Sequence, residues 1–294
     1  MSQRVKRAKL ALLGPVLPLL NPIRVAEELA TLDNLCGGRL IAGFLRGIPV
    51  EFQTYSVNPA ETRELFDESL ELILNAWSQP EPFSWEGRHF RYRTVSVWPR
   101  PVQQPHPPLY MSGKAPESGV LAARHHMGMC LSFNNVAESL DAIGWYWEQC
   151  ALNGWEPAPD QILYRGYVYV AETDEQAKRE ADECGFGQHP NPTPAGRRAG
   201  GRAVDGDLSA ASVREGESSR SASGTATLER AAVWNGTFFC GSPTTVLEQI
   251  RYAREVLGVG IVDLIVANHE LPRDRALRSL DLLGTEVLPR IREL

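Results

Sequence analysis

The sequence predicts an α/β fold built on a parallel sheet. Short apolar runs alternate with amphipathic segments, the pattern of repeated strand–helix units. The amphipathic segments carry helix start and stop signals at both ends. The apolar runs are short and rich in β-branched and aromatic residues, as buried strands are.

The elements follow in order. Residues 9–19 read as a strand. Asn21 and Pro22 open a helix as cap and first-turn proline. Val25, Leu29 and Leu32 recur at helical spacing, and Gly37-Gly38 stop it. Residues 39–47 read as the next strand, followed by a connecting loop. Asn58-Pro59 start a second helix, whose buried stripe is Phe66, Leu70, Ile73 and Trp77. Residues 83–98 read as a β-hairpin excursion with Glu86-Gly87 at its turn. A proline-rich connection leads to a strand at 108–113. A helix at 116–126, a strand at 129–133, a helix at 136–153 and a strand at 162–173 come next, then a helix starting at TDEQAKREADEC. Residues 238–257 read as a short extended segment, a turn, and a helix capped by Ser242 with Pro243 first. The last strand is expected at 261–268 and a closing helix at 272–293. Roughly six of these strands belong to one sheet, against the eight of a closed barrel.

Composition excludes several classes. The 294 residues suit one large barrel domain or two smaller domains. The net charge of −6 gives no electrostatic case for nucleic acid or an anionic membrane. No apolar run approaches the roughly 18 residues that span a bilayer. The start is basic and then apolar, like a secretory signal, but Pro15 and Pro18 interrupt it and no small-residue cleavage site follows. The five cysteines are odd in number and lack C-x-x-C spacing, which points to free thiols in a reducing cytoplasm and no metal site. Residues 187–233 contain no aromatic residue, no isoleucine and two leucines. Such a segment cannot bury enough apolar surface to order itself, so a disordered insertion is expected there.

Three segments resemble the bacterial-luciferase-like flavin-dependent monooxygenases: PLLNPIRVAEELATLDNLCGGRLIAGFLRG (18–47), FSWEGRHFRYRTVSVWPRPVQQPHPPLYMSGKAPES (83–118) and GSPTTVLEQIRYAREVLGVGIVDLIV (241–266). Their order and spacing cover most of the chain. The resemblance implies a (β/α)8 TIM-barrel of the luciferase-like type in one domain, 1–294, with 187–233 as an insertion or lid segment. It implies FMN, supplied reduced by a separate flavin reductase, or less favourably a deazaflavin. The implied reaction inserts one oxygen atom from O2 into a small organic substrate through a flavin peroxide. A deazaflavin-dependent oxidoreductase and a non-catalytic flavin-binding or subunit homologue are the alternatives, and a homodimer or heterodimer is expected. Motif order starts at the family's third unit, so the first two βα units are expected to be missing. A misassigned start, a shorter relative and a partner chain that supplies the rest all account for that. Residues 187–233 equally suit a lid insertion or a change of reading frame.

Candidate cofactor-binding residues follow from the matching motifs. Arg46 ends a strand where barrels display functional groups, and the matching arginine contacts flavin; an ordinary loop arginine is the alternative. Gly47 permits close backbone approach. Arg63 sits in a helix first turn on the apolar side, where an anion relieves both burial and dipole opposition. The family places the phosphate there, and a snorkelling arginine or an Asp67 pair are the alternatives. Ser112 and Gly113 are expected beside the flavin ring. Lys114 and Ser118 lie at a helix N-terminus suited to phosphate, where Ala115 replaces a hydroxyl. Asn21 is either pocket lining or helix cap. Leu45 replaces luciferase's reactive-site cysteine. Arg165, inside a strand, reaches either the active site or an interior carboxylate. His269 could face the pocket. The catalytic residues are not legible, no metal is expected, and no Ser-His-Asp array, P-loop or G-x-G-x-x-G appears.

Overall fold

The computed structural model describes residues 4–113, 115–186, 234, 236–267 and 271–291. The expected insertion at 187–233, Lys114 and His269 lie outside the described residues. The chain forms two compact units, Met1–Gly166 with Ala253–Leu264, and Tyr167–Tyr252 with Ile265–Leu294.

The first unit carries strands β1 (Leu10–Leu12), β2 (Leu40–Phe44), β5 (Leu109–Ser112), β6 (Gly128–Ser132) and the start of β7 (Ile162–Val170). They are hydrogen-bonded in that order, each parallel to the next. Strand β9 (Ile261–Ile265) also pairs with β7. Helices α1 (Pro22–Cys36), α3 (Thr62–Ser78), α4 (Pro116–Arg124) and α5 (Val136–Leu152) fall between the strands, as a parallel sheet requires. Side chains alternate across the sheet. Ile41, Tyr110, Cys130 and Leu163 form one apolar cluster on a single face, with Leu13 and Ile261 packed against it.

Local chemistry explains the elements. The Asn21 side chain accepts from the Ile23 and Arg24 amides, and Gly37 closes α1 in the left-handed region at φ 63°. Phe66, Leu70, Ile73 and Trp77 are buried, as the stripe predicts. The Trp77 indole donates to the Ala26 carbonyl at 3.0 Å and so ties α3 to α1. The hairpin of β3 (Phe83–Glu86) and β4 (Arg91–Val95) is fastened by Glu68 of α3. That carboxylate accepts from the Trp85 indole at 3.0 Å and from the His89 and Phe90 amides at 2.9 Å each. Fully buried Asp33 accepts from the Gln103 amide and side chain, which fixes the proline-rich connection.

In the second unit the rest of β7 pairs in parallel with β8 (Phe238–Gly241). Tyr169, Ala171, Ala177, Ala181, Phe186 and Leu271 form its core. Helix α6 (Asp174–Cys184) is capped by Thr173. Asp174 accepts from the Ser242 amide at 2.6 Å and the Thr245 hydroxyl at 2.9 Å. These contacts tether the start of α7 (Pro243–Leu257).

Four expectations need correction. The 9–19 strand stops at Leu12, because Pro15 and Pro18 lack the N–H a strand interior needs. Leu17–Leu19 forms a 3-10 turn instead, and only a bridge between Val16 and Leu45 survives. The loop after β2 contains a helix, α2 (Pro49–Tyr55), opened by Pro49 and by Glu51, which accepts from the Ile48 amide. The extended segment at 238–241 is a sheet strand, which makes seven in the parallel sheet among the described residues. The closing helix is not continuous: α8 (Arg273–Leu282) passes through a π turn at Leu283–Val287 into α9 (Leu288–Ile291).

Candidate functional site

A cleft of about 230 Å3 opens in the first unit, lined by residues of α3 and α4 together with Arg46 and Met111. Arg46 follows directly after Leu45, whose amide donates to the Pro15 carbonyl at 2.8 Å. Arg63 extends from the first turn of α3, one turn before Asp67. Ser118 and Glu117 come from the first turn of α4 and Arg124 from its last. Three arginines therefore line one cleft.

The carboxylates there are informative. Burial pushes the Asp67 carboxyl above the usual aspartate range, although Arg124, Arg63 and Arg46 all pull the other way. Arg63 does not take Asp67 as its ion-pair partner; its Nη2 lies 3.6 Å from Glu117 of α4. Both side chains of that pair are more than half exposed, so the pair is weak and exchangeable. The α4 N-terminus has Ala115 as cap with no side-chain hydrogen bond and Pro116 behind it. Pro116 has no N–H and the Ser118 amide donates to the Ala115 carbonyl at 2.9 Å, so of the first three positions only the Glu117 amide is left for a ligand where a Ser or Asp cap would otherwise serve it. Three arginines, one hydroxyl and a helix N-terminus without a side-chain cap make a donor set that suits a phosphate group.

Two glycines fit tightly. A Cβ on Gly113 would collide with the Ser118 hydroxyl and lie 2.7 Å from its Cβ, so only glycine lets the end of β5 approach α4. Gly47, at φ 99°, would place a Cβ 2.7 Å from Phe52 and 2.8 Å from Val16. The close approach expected at Gly47 is thus made to the protein's own side chains.

A second cluster lies on the sheet face that carries Ile41 and Leu163. Ser112, Tyr110, Cys130 and Arg165 line a small crevice there. Arg165 Nε and Nη2 both donate to Asp263 Oδ2 at 2.6 Å, so Arg165 has found an interior carboxylate. Each of these side chains is about a third exposed. Next to them, Phe133 is held in the left-handed region at φ 57° and its amide donates to the Arg165 carbonyl at 3.0 Å. A bulky residue held there signals stored strain, which concentrates at functional sites. Burial pushes the Cys130 thiol up and the Tyr110 hydroxyl up to about 12.

Of the sequence-predicted residues, Arg46, Arg63 and Ser118 meet in the arginine cleft, and Gly113 abuts Ser118. Ser112 falls in the crevice with Arg165. Asn21 stands apart from both: its Oδ1 caps α1 and its Nδ2 donates to the Tyr92 hydroxyl at 3.0 Å. The described histidines have structural surroundings. His126 stacks on Trp155 at 4.6 Å, and burial, with Arg124 adding, pushes the His125 imidazole down. Arg124 and Asp263 escaped the sequence reading. Arg124 lies seven residues beyond Glu117 on one helix face, a spacing that could have found it.

The architecture is a parallel α/β sheet with a cleft in which three arginines and the first turn of one helix meet. Comparison with known proteins makes this specific. Residues 3–259 match the family model described as luciferase-like monooxygenase, and the chain belongs to that family. Its fold is the α/β TIM-barrel type of that family. Protein y4wF of Sinorhizobium fredii is 34% identical over 123 residues, which is 42% of this chain and 36% of that protein. The FMNH(2)-dependent dimethylsulfone monooxygenase of Pseudomonas putida is 26% identical over 97% of this chain and 75% of its own length. The crystal structure of monooxygenase RslO1 from Streptomyces bottropensis superposes with a TM-score of 0.77 at 26% identity, covering 98% of this chain and 80% of that one. The chain thus spans about a third of the first of these relatives and three quarters of the second. Among the described residues, no helix is long and apolar enough to cross a membrane.

Proposed function

We propose that the chain is a flavin-dependent monooxygenase that binds reduced FMN by its phosphate in the arginine cleft. The observation that carries this reading is the gathering of Arg46, Arg63 and Arg124 in one cleft that Ser118 of the uncapped first turn of α4 also lines. Family membership and the FMNH(2)-dependent relative support the same cofactor.

Arg63 exchanges its weak Glu117 partner for the phosphate, and a planar guanidinium suits two phosphate oxygens at once. The Ser118 hydroxyl and the Glu117 amide supply neutral donors. At about 230 Å3 the cleft is below the roughly 300–1,000 Å3 of a full ligand site, so it receives the phosphate end. Ser112 and Gly113, at the end of β5, are the neighbours of the flavin ring, and Gly113 leaves room there beside Ser118. When bound, reduced FMN supplies the electrons that let O2 deliver one oxygen atom to a small organic substrate. The protein's share is position and exclusion of water. Membership of the family supports a separate reductase as the source of the reduced flavin. The working compartment is the cytoplasm.

Anaerobic titration tests the reading. Reduced FMN should bind at least about tenfold tighter than reduced riboflavin, which lacks only the phosphate. Arg63→Gln and Arg124→Gln should each erase most of that difference. Equal affinity for the two flavins would remove the phosphate from the cleft and the proposal with it. Admitting O2 to the loaded protein with dimethyl sulfone as probe then reads substrate-dependent O2 uptake.

A further inference from the structure

We infer that Asp67 is itself a ligand of the phosphate: it takes up a proton from solvent as the phosphate enters the arginine cleft and donates it to a phosphate oxygen. This rests on the phosphate-binding reading of that cleft. Its argument comes from the charge and the contacts of the lining.

Arg46, Arg63, Arg124, Asp67 and Glu117 are the ionisable side chains among the described residues that line the cleft. Three cations and two carboxylates leave it with one positive charge when empty. A phosphate monoester carries nearly two negative charges above its second pKa of about 6. Its entry therefore leaves one negative charge in excess in a partly buried site, which is costly. The apolar walls, Phe66, Met111, Val120 and Leu121, raise that cost by lowering the local dielectric. One proton restores neutrality.

The contacts decide where that proton goes. Guanidinium groups favour the charged form of the phosphate, so it stays deprotonated. Glu117 is more than half exposed and keeps its hydration. Asp67 is half-buried and, among the described residues, makes no hydrogen bond and no ion pair; Arg63, one turn before it, takes Glu117 instead. Burial and the like charge of Glu71 on α3 already favour a neutral Asp67 carboxyl, against Arg124 of α4, Arg63 of α3 and Arg46 after β2. A bound phosphate engages those arginines and adds a second like charge, which moves the balance further towards the acid. His125, just beyond α4, is pushed down by burial and adds no cation at pH 8. A carboxylate opposite a phosphate dianion offers acceptors only, whereas a carboxylic acid supplies the O–H that the pair needs. The proton passes from solvent to an Asp67 carboxylate oxygen, and no other covalent bond forms or breaks.

Anaerobic calorimetry of reduced FMN binding tests this on the full chain and on Asp67→Asn, across pH and in buffers of different ionisation enthalpy. Protonation of the flavin ring is common to both proteins and cancels in their difference. Between about pH 6 and pH 9 the wild-type Kd should rise at least about tenfold more than that of the variant, with matching extra proton uptake. Parallel pH curves in a natively folded variant overturn the inference. Should the variant not fold, infrared difference spectra of the wild type decide. Reduced FMN should raise a protonated-carboxyl band that reduced riboflavin does not, and absence of that band overturns the inference as well. Failure of the phosphate reading shows separately, as equal affinity for reduced FMN and reduced riboflavin.

Discussion

Asp67 is the residue on which the cleft's electrostatics turn. Burial holds its carboxyl above the ordinary range even with three arginines nearby, so ionising it costs the folded state. A raised acid pKa lowers stability above the folded value, and the penalty vanishes below the unfolded value of about 3.9, where both states are protonated. Asp67→Asn should therefore melt higher than wild type at pH 8, with the gap closing as the pH falls below about 4. It should also bind FMN more tightly, since a carboxylate facing the phosphate is gone. Thermal melts across pH check the first expectation; a melting point below wild type at pH 8 contradicts it. Asn21 presents the opposite case, a residue whose polar atoms are committed to structure. Asn21→Ala loses the α1 cap and the Tyr92 contact and should cost about 1 kcal/mol. A denaturant melt measures that cost, and a flavin titration of the same variant tests whether Asn21 also serves the pocket. Arg46 and Arg63 were legible because one follows a strand and the other sits on an apolar helix side. Arg124 was hidden because a cation in the last turn of a helix already has a reason to be there. Asp263 was hidden because its partner lies 98 residues away, at a distance no local pattern encodes.

At the scale of elements, Glu68 and Asp174 act as clamps. Glu68 is held below the ordinary glutamate range: burial works against ionisation, but the His89 and Phe90 amides and the Trp85 indole outweigh it. Asp174 is lowered first by the Ser242 amide and then by the Thr245 and Ser242 side chains, against burial. A depressed folded pKa adds stability that is present above the unfolded value and lost as the pH falls through the folded one. The chain should accordingly lose stability below about pH 4.3, the ordinary glutamate value. Glu68→Gln should melt lower at pH 7 and show a shallower acid slope, because its side chain no longer titrates. An acid slope as steep as wild type would assign the loss to other groups. The clamps explain what was legible in the fold. Caps, prolines and apolar stripes announce an element locally, so α1, α3, α5 and the hairpin could be read from sequence. Where prolines cut an apolar run, as at 9–19, hydrophobicity overstated the strand. The short α2 was missed, and β8 was read as extended but not counted into the sheet, because a few residues give too little periodicity. Glu68 itself was silent, since nothing local shows that an exposed-looking helical glutamate meets a hairpin about 20 residues downstream.

At the scale of the molecule, a chain of net charge −6 is asked to bind an anion. Long-range repulsion between them is screened beyond about 10 Å at 0.1 M salt, whereas contacts inside a partly buried cleft are screened much less. The arginine cleft therefore decides affinity, and the overall charge chiefly slows the approach at low ionic strength. Raising salt from low to moderate levels should speed association more than it weakens the bound state. Bound cofactor also stabilises the fold by mass action, by about 2.7 kcal/mol at a hundredfold excess over its Kd. Where that stabilisation appears locally is the sharpest test of placement. The α4 N-terminus has no side-chain cap, so hydrogen exchange should slow at residues 117–119 and in the first turn of α3 when reduced FMN is added. The hairpin at 83–95 is held by Glu68 through contacts that the cofactor does not touch, and its local exchange should stay as it was. Protection confined to the hairpin, with α4 unchanged, would move the cofactor out of the arginine cleft. Protection at α4 that is lost in Arg63→Gln would tie the amides and the guanidinium to one phosphate.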